Sequence, residues 1–599
     1  MTRSTSNPAS VLRRAPLAAG LALALGAVFS TAGAATGDGA LAHDPARAGS
    51  RLATRLLDAR ADFARQLAAH GPHPAAPLTR PAGSLTVDNC DDSGAGSLRD
   101  AFAHAVSGDT IDLSTLSCST ITLTGGPLAS SVDDLTLHGP GAAALTIDGG
   151  GNDRIVAHTG TGTLSIDGVT LANGHYVYDQ PLVYGGAANG ACVLSSGNVT
   201  ISASHLDQCS ATGVSVMGAA VHAEGALHLI DSLVTGTTAT ATTDEISSTI
   251  YGGVISAPAV YLDGSSVRGA TVTSHTTKIF GGLLGGGVFG GVGVVMVDST
   301  VSGIDAHVSA AQSAYAKGGG VGSGLIVVLD RSSVSDNAVH GTPGGGLYNG
   351  FTYTSAIGGG GVYIMTGAEG PPTPPSITNS TISGNTAGCE GDAPCAYTVG
   401  GGGGLATWST QATTIGNSTI SGNTSNTIGG GLYARSRGSI ALVNATITDN
   451  SAPDGAGVAD KAAPLGQFAI DSSLIAGNHA SGSGATTELI TARTIDGANN
   501  LIASSSAALP ADTLGGDPRL APLADNGGPT KTHALLPGSP AIDAGSNVAN
   551  QDTDQRGDGH PRTSGKAPDI GAFEVQPSDA DTIFKDGFDA AAPAIQIAR

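Results

Sequence analysis

Asn379-Ser-Thr-Ile-Ser-Gly-Asn385 returns as Asn417-Ser-Thr-Ile-Ser-Gly-Asn423, and with small changes as Asn444-Ala-Thr-Ile-Thr-Asp-Asn450. Looser copies are Asp298-Ser-Thr-Val-Ser-Gly303, Ser332-Ser-Val-Ser-Asp-Asn337 and Ser472-Ser-Leu-Ile-Ala-Gly-Asn478. An internal period decides architecture before any single motif is weighed. Its central apolar residues are Leu171, Leu206, Val234, Val267, Val301, Val334, Ile382, Ile420, Ile447 and Ile475, spaced by 35, 28, 33, 34, 33, 48, 38, 27 and 28 residues. Helical repeats of this length need long apolar stripes at a 3.6 period. These repeats instead alternate apolar and polar residues over short runs, as in Gly438-Ser-Ile-Ala-Leu-Val-Asn444, which is a strand pattern.

Each period reads as about three runs: a glycine cluster with an apolar pair (Gly429-Gly-Gly-Leu-Tyr433), an alternating strand, and the Ser-Thr-Ile-Ser phrase. Three short strands per period fit one coil of a parallel β-helix, with equivalent residues stacked about 4.8 Å apart. Asn337, Asn385, Asn423 and Asn450 each follow their marker by three residues and are expected to form a hydrogen-bonded ladder at one corner. The 91 glycines are about 15% of the 599 residues, against a usual 7% or so, and the charged fraction is 12% against about 25%. A flexible linker would share this glycine content. It would not hold Val, Leu and Ile at a fixed phase.

Net charge is −22, and −25 without residues 1–34, which hold three arginines and no acid. Nucleic acid and anionic lipid are therefore poor partners, since both need clustered cations. Residues 1–34 read as a secretory signal: Arg13-Arg14, an apolar run from Leu17 to Phe29, then Ala32-Gly33-Ala34. That run is too short to span a bilayer, and no other stretch is a candidate. Six cysteines in an exported chain imply disulfides. Spacing favours neighbours: Cys90 with Cys118, Cys192 with Cys209, Cys389 with Cys395. No His/Cys set has metal-site spacing, so neither cofactor nor metal is expected.

Residues 35–83 read as an amphipathic helix and a Pro-rich linker, residues 84–168 as an N-terminal cap and the first coils, and residues 169–480 as the repeats. Within the cap, Ser97 should start a short helix whose Leu98, Phe102 and Ala105 plug the open end of the core. Residues 481–576 break the period with Asp525-Asn-Gly-Gly-Pro-Thr530, Asp554-Gln-Arg-Gly557 and Asp569-Ile-Gly-Ala-Phe-Glu574. This stretch closely resembles the C-terminal domain of bacterial choice-of-anchor Q proteins. Ser93-Gly-Ala-Gly-Ser-Leu-Arg-Asp100 and Gly108-Asp-Thr-Ile111 resemble their N-terminal cap, and the middle resembles the repeats of polymorphic outer-membrane proteins. The resemblance covers about residues 85 to 575. It implies a right-handed parallel β-helix exported to the cell surface or medium, and no agreed activity. The tail, 577–599, holds Asp581-Thr-Ile-Phe-Lys-Asp-Gly-Phe-Asp589, which resembles a sorting or processing motif.

Many right-handed β-helices degrade polysaccharides. A hydrolase needs converging carboxylates, and a lyase needs a base with a cation. Asp231, Asp263, Asp298, Asp330 and Asp471 recur at one phase and so read as turn residues. Asp148–Asp153 and Asp552–Gly559 have calcium-loop composition but also read as turns, and Arg556-Gly-Asp558 reads as a chance triplet. The candidate ligand-binding set is aromatic: Phe289, Tyr348, Tyr363 and Tyr433 follow glycine clusters, with Tyr353 and Trp408 nearby. A structural cross-strand ladder is the competing reading. The expectation is an exported surface or extracellular β-helix protein with a binding, adhesive or structural role toward glycans or surface proteins. The alternative is a polysaccharide lyase or glycoside hydrolase. Function is sought first where the period is interrupted, between Val334 and Ile420.

Overall fold

The computed structural model describes residues 82–577 and 579, apart from 179–186, 245–246, 344–346, 349–350, 353–354, 366–373, 391–399, 436, 462–465 and 483–486. The signal-like segment, nearly all of 35–83, the tail from 580 onward, Tyr353 and Cys395 lie outside the described residues.

The marker residues form one unbroken column. Ile121 pairs with Ile147, then come Leu171, Leu206, Val234, Val267, Val301, Val334, Ile382, Ile420, Ile447, Ile475 and Ile502, every step parallel and in register. All are fully buried or nearly so. Residues 24 to 48 positions apart meet only if each period completes one turn, so the chain is a parallel β-helix. One coil runs Val221–Ala223, Leu227–Ile230, Leu233–Thr235 and Thr238–Thr243. The first two belong to a sheet of 24 strands and the last two to a sheet of 21. A third sheet of six strands, including Ser247–Tyr251, widens the middle coils. Coils hold from three strands, as in Val288–Val297, Thr300–Ala310 and Ser313–Lys317, to four or five, against an expectation of about three. Bends such as Gly236, at φ 62°, divide runs that look continuous in the sequence.

Two buried polar ladders hold the corners. Between the two large sheets a serine heads each coil: the backbone N–H of Ser232 donates to Ser265 Oγ, Ser265 to Ser299, Ser299 to Ser332, Ser332 to Ser380 and Ser380 to Ser418, each at 3.1 Å. Each of these hydroxyls donates to the carbonyl two residues earlier, as Ser299 does to Val297 at 2.7 Å. The residue just before the serine sits at positive φ: Asp231 46°, Asp298 48°, Arg331 46°, Asn379 51° and Asn417 51°, and so does Asn444 at 52°, where Ala445 takes the serine's place. Asn and Asp tolerate that conformation best among non-glycine residues, which accounts for the Asn-Ser opening of the phrase.

The second ladder follows the Thr-Ile-Ser strand. Asn337 Nδ2 donates to Asn385 Oδ1, Asn385 to Asn423, Asn423 to Asn450 and Asn450 to Asn478, each at 2.9 Å. Each Asn backbone N–H also donates to the next Oδ1, at 3.0 to 3.1 Å. The ladder ends where Asn478 Nδ2 donates to Glu488 Oε2 at 2.9 Å. All its amides are buried, so every rung satisfies groups that water cannot reach.

The ends are closed differently. Helix α1 (Leu98–His104) is N-capped by Ser97, whose Oγ accepts from Asp100 N at 3.2 Å, and it buries Leu98, Ala101 and Phe102. Cys90–Cys118 and Cys192–Cys209 are disulfides. Cys389 is also disulfide-bonded, beside the segment holding Cys395. At the other end the chain leaves the helix after Ile502 and folds back along the outside of the 21-strand sheet. Thr381 Oγ1 donates to the Lys531 carbonyl, Thr419 Oγ1 to Gln555 Oε1, and Ala572 N donates to Thr446 Oγ1. Leu474, Leu501, Leu535, Ala541, Ile570 and Phe573 form a small core beneath this returning segment. The near-identical phrases are therefore the coils it covers: their outward threonines are docking sites, buried rather than solvated.

Replacing Asn423 by alanine removes the acceptor of Asn385 N and Nδ2 and the donor to Ile382 O. With each stranded buried group costing about 1–3 kcal/mol, a loss of about 3 kcal/mol or more is expected in urea unfolding followed by circular dichroism. Thr242→Ala on the exposed face should change stability by no more than about 0.5 kcal/mol.

Candidate functional site

The aromatic residues singled out in the sequence share one outward column of the 24-strand sheet. Ser256, Phe289, Gly322, Tyr363, Ala406, Tyr433 and Ala459 are successive register partners. Rings alternate with Gly or Ala. Glycine backbone packs against this column: a Cβ on Gly322 would run into the backbone of Gly285, and Gly401 lies against the Tyr433 ring. The column is consequently closed rather than a row of presented faces: Phe289 is 6% exposed and Tyr363 5%. Phe289 packs on Tyr251 with ring centroids 5.6 Å apart and is not available to a ligand. Tyr348 lies in the short strand Leu347–Tyr348, paired with Phe351–Thr352.

One part of the column opens. Trp408, two residues beyond Ala406, is 39% exposed and is among the few large apolar side chains that are. Arg435 stands over its ring at 4.9 Å, and Lys317 Nζ approaches from the other direction at 5.3 Å. Lys317, itself buried, donates to Tyr363 Oη at 2.9 Å and lies 5.2 Å from the Tyr315 ring. Tyr433 completes the wall, and burial raises its phenol pKa. Two cations share an aromatic corner, with no carboxylate among the described residues that line it. The space left between these side chains is about 20 Å³, room for one water. A ligand would therefore lie on Trp408 and Arg435 rather than enter the corner. Lys317 and Arg435 were missed as site residues because lone cations in sequence carry no signal. Only the register brings 317, 363, 408 and 435 together.

A larger cleft, about 420 Å³, separates the 21-strand sheet from the returning C-terminal segment, lined by Ser335, Asp336, Ser421, Asp449, Thr530 and Lys531 among others. Asp336 and Asp449 occupy the same phase with Gly384 and Gly422 between them, three rungs or about 14 Å apart along the axis. Glycosidase carboxylate pairs stand about 5–9.5 Å apart, so this pair does not meet that geometry. Ser421 Oγ and His533 Nε2 are 2.7 Å apart, but His533 Nδ1 is bonded to the Ala521 carbonyl at 2.7 Å. The nearby Asp449 approaches Nε2 at 3.9 Å, the same nitrogen that faces Ser421. A Ser–His–Asp relay needs the acid on the other nitrogen. Both residues are buried, and the pair is a docking bond.

The motifs of the C-terminal region form a buried charge cluster. Arg556 donates to Asp554 at 2.8 Å and to the Glu574 carbonyl at 2.5 Å, stacked 3.9 Å from the Phe573 ring centroid. Asp554 also accepts from Glu574 N at 2.9 Å, so its carboxylate is used and the 552–559 loop is a structural turn. Arg556, 2% exposed, is not presented for recognition as an Arg-Gly-Asp triplet. In the other calcium-like stretch, Asp148 Oδ1 accepts from Gly150 N and Asn173 Nδ2, again a turn. Glu574 accepts from Ser564 N and Asp569 N, and its carboxylate stands 3.9 Å from Arg562.

No family model matches this chain, and no curated protein matches its sequence. Among solved structures it is similar to the pectate lyase Pel9A, at 12% identity and a TM-score of 0.27, over 83% of this chain and 96% of that one. The strand register itself defines the class, a parallel β-helix. No helix among the described residues is long and apolar enough to cross a membrane.

Burial pushes the Glu574 carboxyl up to about 7 from its usual 4.5. The protonated form is favoured in the folded state, so this contribution is full below the unfolded value and is lost as pH rises through about 7. The urea midpoint of the C-terminal region should fall from about pH 5 to about pH 7.5. Glu574→Gln should flatten that slope while lowering stability overall, because one of its two accepted N–H bonds is lost.

Proposed function

We propose that this chain is an exported β-helix protein that binds acidic glycans on the corner formed by Trp408, Arg435, Lys317, Tyr363 and Tyr433. The observation that carries the reading is an exposed tryptophan flanked by two cations with no carboxylate among the described residues lining the corner, on a chain of net charge −22. A protein this acidic disfavours polyanions in general. A cation pair beside an aromatic face is a local exception, and it suits a uronate: the sugar's apolar face stacks on Trp408 while its carboxylate meets Arg435. The corner lies at the interruption of the period, where coils lengthen to 48 and 38 residues.

Export fits the leader-like segment 1–34 and the disulfides Cys90–Cys118 and Cys192–Cys209. It also fits the resemblance of residues 481–576 to the choice-of-anchor Q domain, which favours a surface or extracellular location. Binding is favoured over catalysis because the described residues of the corner include no carboxylate and the larger cleft spaces its two acids too widely.

On a glycan array the purified chain should retain uronate-containing polysaccharides over neutral ones, with affinity falling as salt rises. Trp408→Ala and Arg435→Ala should each weaken binding about tenfold without altering the circular dichroism spectrum. Equal binding by these variants, or none by the parent chain, removes the proposal. Unsaturated products or new reducing ends would replace it with the enzyme reading.

A further inference from the structure

A second cluster of chemistry-bearing side chains lies on the outward face of the 21-strand sheet. His307 (in Thr300–Ala310) and His340 (in Ala338–Pro343) are register partners on adjacent coils. Their imidazoles stack with centroids 4.9 Å apart and planes 19° from parallel. Asp305 Oδ1 is 2.9 Å from His307 Nε2. Glu390 reaches in from the next coil: Oε1 is 3.0 Å from His340 Nδ1, and Oε2 is 3.8 Å from His307 Nδ1. One donor atom from each of Asp305, His307 and His340 lies within 4.8 Å of the other two.

The two carboxylates have different roles. Glu390 sits on the Nδ1 edge of both rings. By accepting from His340 Nδ1–H at 3.0 Å it fixes the tautomer that leaves His340 Nε2 with a lone pair, while its other oxygen stands 3.8 Å from His307 Nδ1. Asp305 sits on the opposite, Nε2 edge. This is the arrangement in which a carboxylate orients ligating histidines from behind. Glu390 is itself held: its N–H donates to the Gly341 carbonyl at 2.8 Å. The preceding Cys389 is disulfide-bonded, and it exchanges hydrogen bonds with Asn426 at 3.1 and 2.8 Å. A cation among these three donor atoms would offset the Asp305 charge and join the two rings.

We propose that Asp305, His307 and His340 bind a divalent transition-metal ion, with Glu390 as the positioning residue. Two imidazoles and one carboxylate suit zinc and its neighbours rather than calcium or magnesium, which prefer oxygen ligands. Three protein ligands leave a coordination position open to water or a further ligand. The site is partly exposed, with Asp305 at 57% and His307 at 42%, so an ion can enter from solvent. It does not depend on the glycan-binding reading. Sequence spacing hides it, because the two histidines lie 33 residues apart and meet only through the coil.

Titrating the untagged, folded chain with zinc by calorimetry should give one equivalent bound, not displaced by excess calcium. Cobalt should give visible d–d absorption that zinc abolishes. Asp305→Asn and His340→Ala should each weaken zinc at least tenfold, and Glu390→Gln about 10–100-fold, with unchanged circular dichroism. The proposal is overturned if the parent chain gives no cobalt bands. It is equally overturned if the double variant His307→Gln/His340→Gln binds zinc as the parent does. The cobalt measurement needs no variant, so misfolding of a mutant cannot protect the idea.

Discussion

Every coil must bury polar backbone at its corners, and the Asn337-to-Asn478 ladder is how this chain meets that demand. An amide offers both a donor and an acceptor, so each Asn accepts from one neighbour and donates to the next, and a rung in the wrong place breaks both bonds. The ladder thus acts on register as well as stability. A slip of one residue would turn Ile382, Ile420 and Ile447 outward and leave a row of buried amides unpartnered. The serine ladder imposes the same demand at the opposite corner. Between these two constraints the intervening segments are free to vary in length, which is how 27-residue and 48-residue coils coexist in one stack.

Much of this architecture is legible in the residues. The Thr-Ile-Ser strand, the Asn column and the capping helix at Ser97 all follow from local chemistry that repeats or from a short-range cap. The extra strands per coil were not legible, because a glycine bend inside an alternating run leaves the alternation intact. The serine ladder was also hidden: serine is common here, and its role depends on the positive φ of the residue before it. The aromatic column was readable as a shared face but not as a closed one. Closure depends on the backbone of Gly285 lying over Gly322 and that of Gly401 against Tyr433, contacts 37 and 32 residues apart in the sequence.

The molecule's outer faces are consequently of different kinds. The aromatic column of the 24-strand sheet is closed at Phe289 and Tyr363 and opens beside Trp408. The 21-strand sheet is sealed over its last coils by the returning chain, while earlier coils keep theirs open, including the stretch with Asp305, His307 and His340. A sealed face costs exposed polar surface and contributes core; an open one does the reverse. Both openings adjoin the two longest coils, where added residues relieve the strict packing that ladders impose elsewhere.

The returning C-terminal segment ties Lys531, Gln555 and Ala572 to Thr381, Thr419 and Thr446 on three consecutive coils, and Ser546 to Ser472 on the next. Its hydrogen-bond spacing matches the pitch of those coils, like a ruler laid along the stack. Duplicating or deleting a coil beneath it would misalign every later mark at once. Upstream of Thr381 no such ruler is seen among the described residues, and a coil gained or lost there disturbs only its two neighbours. A coil gained or lost in the N-terminal portion therefore leaves this ruler intact, while the last coils and the segment that measures them must change together.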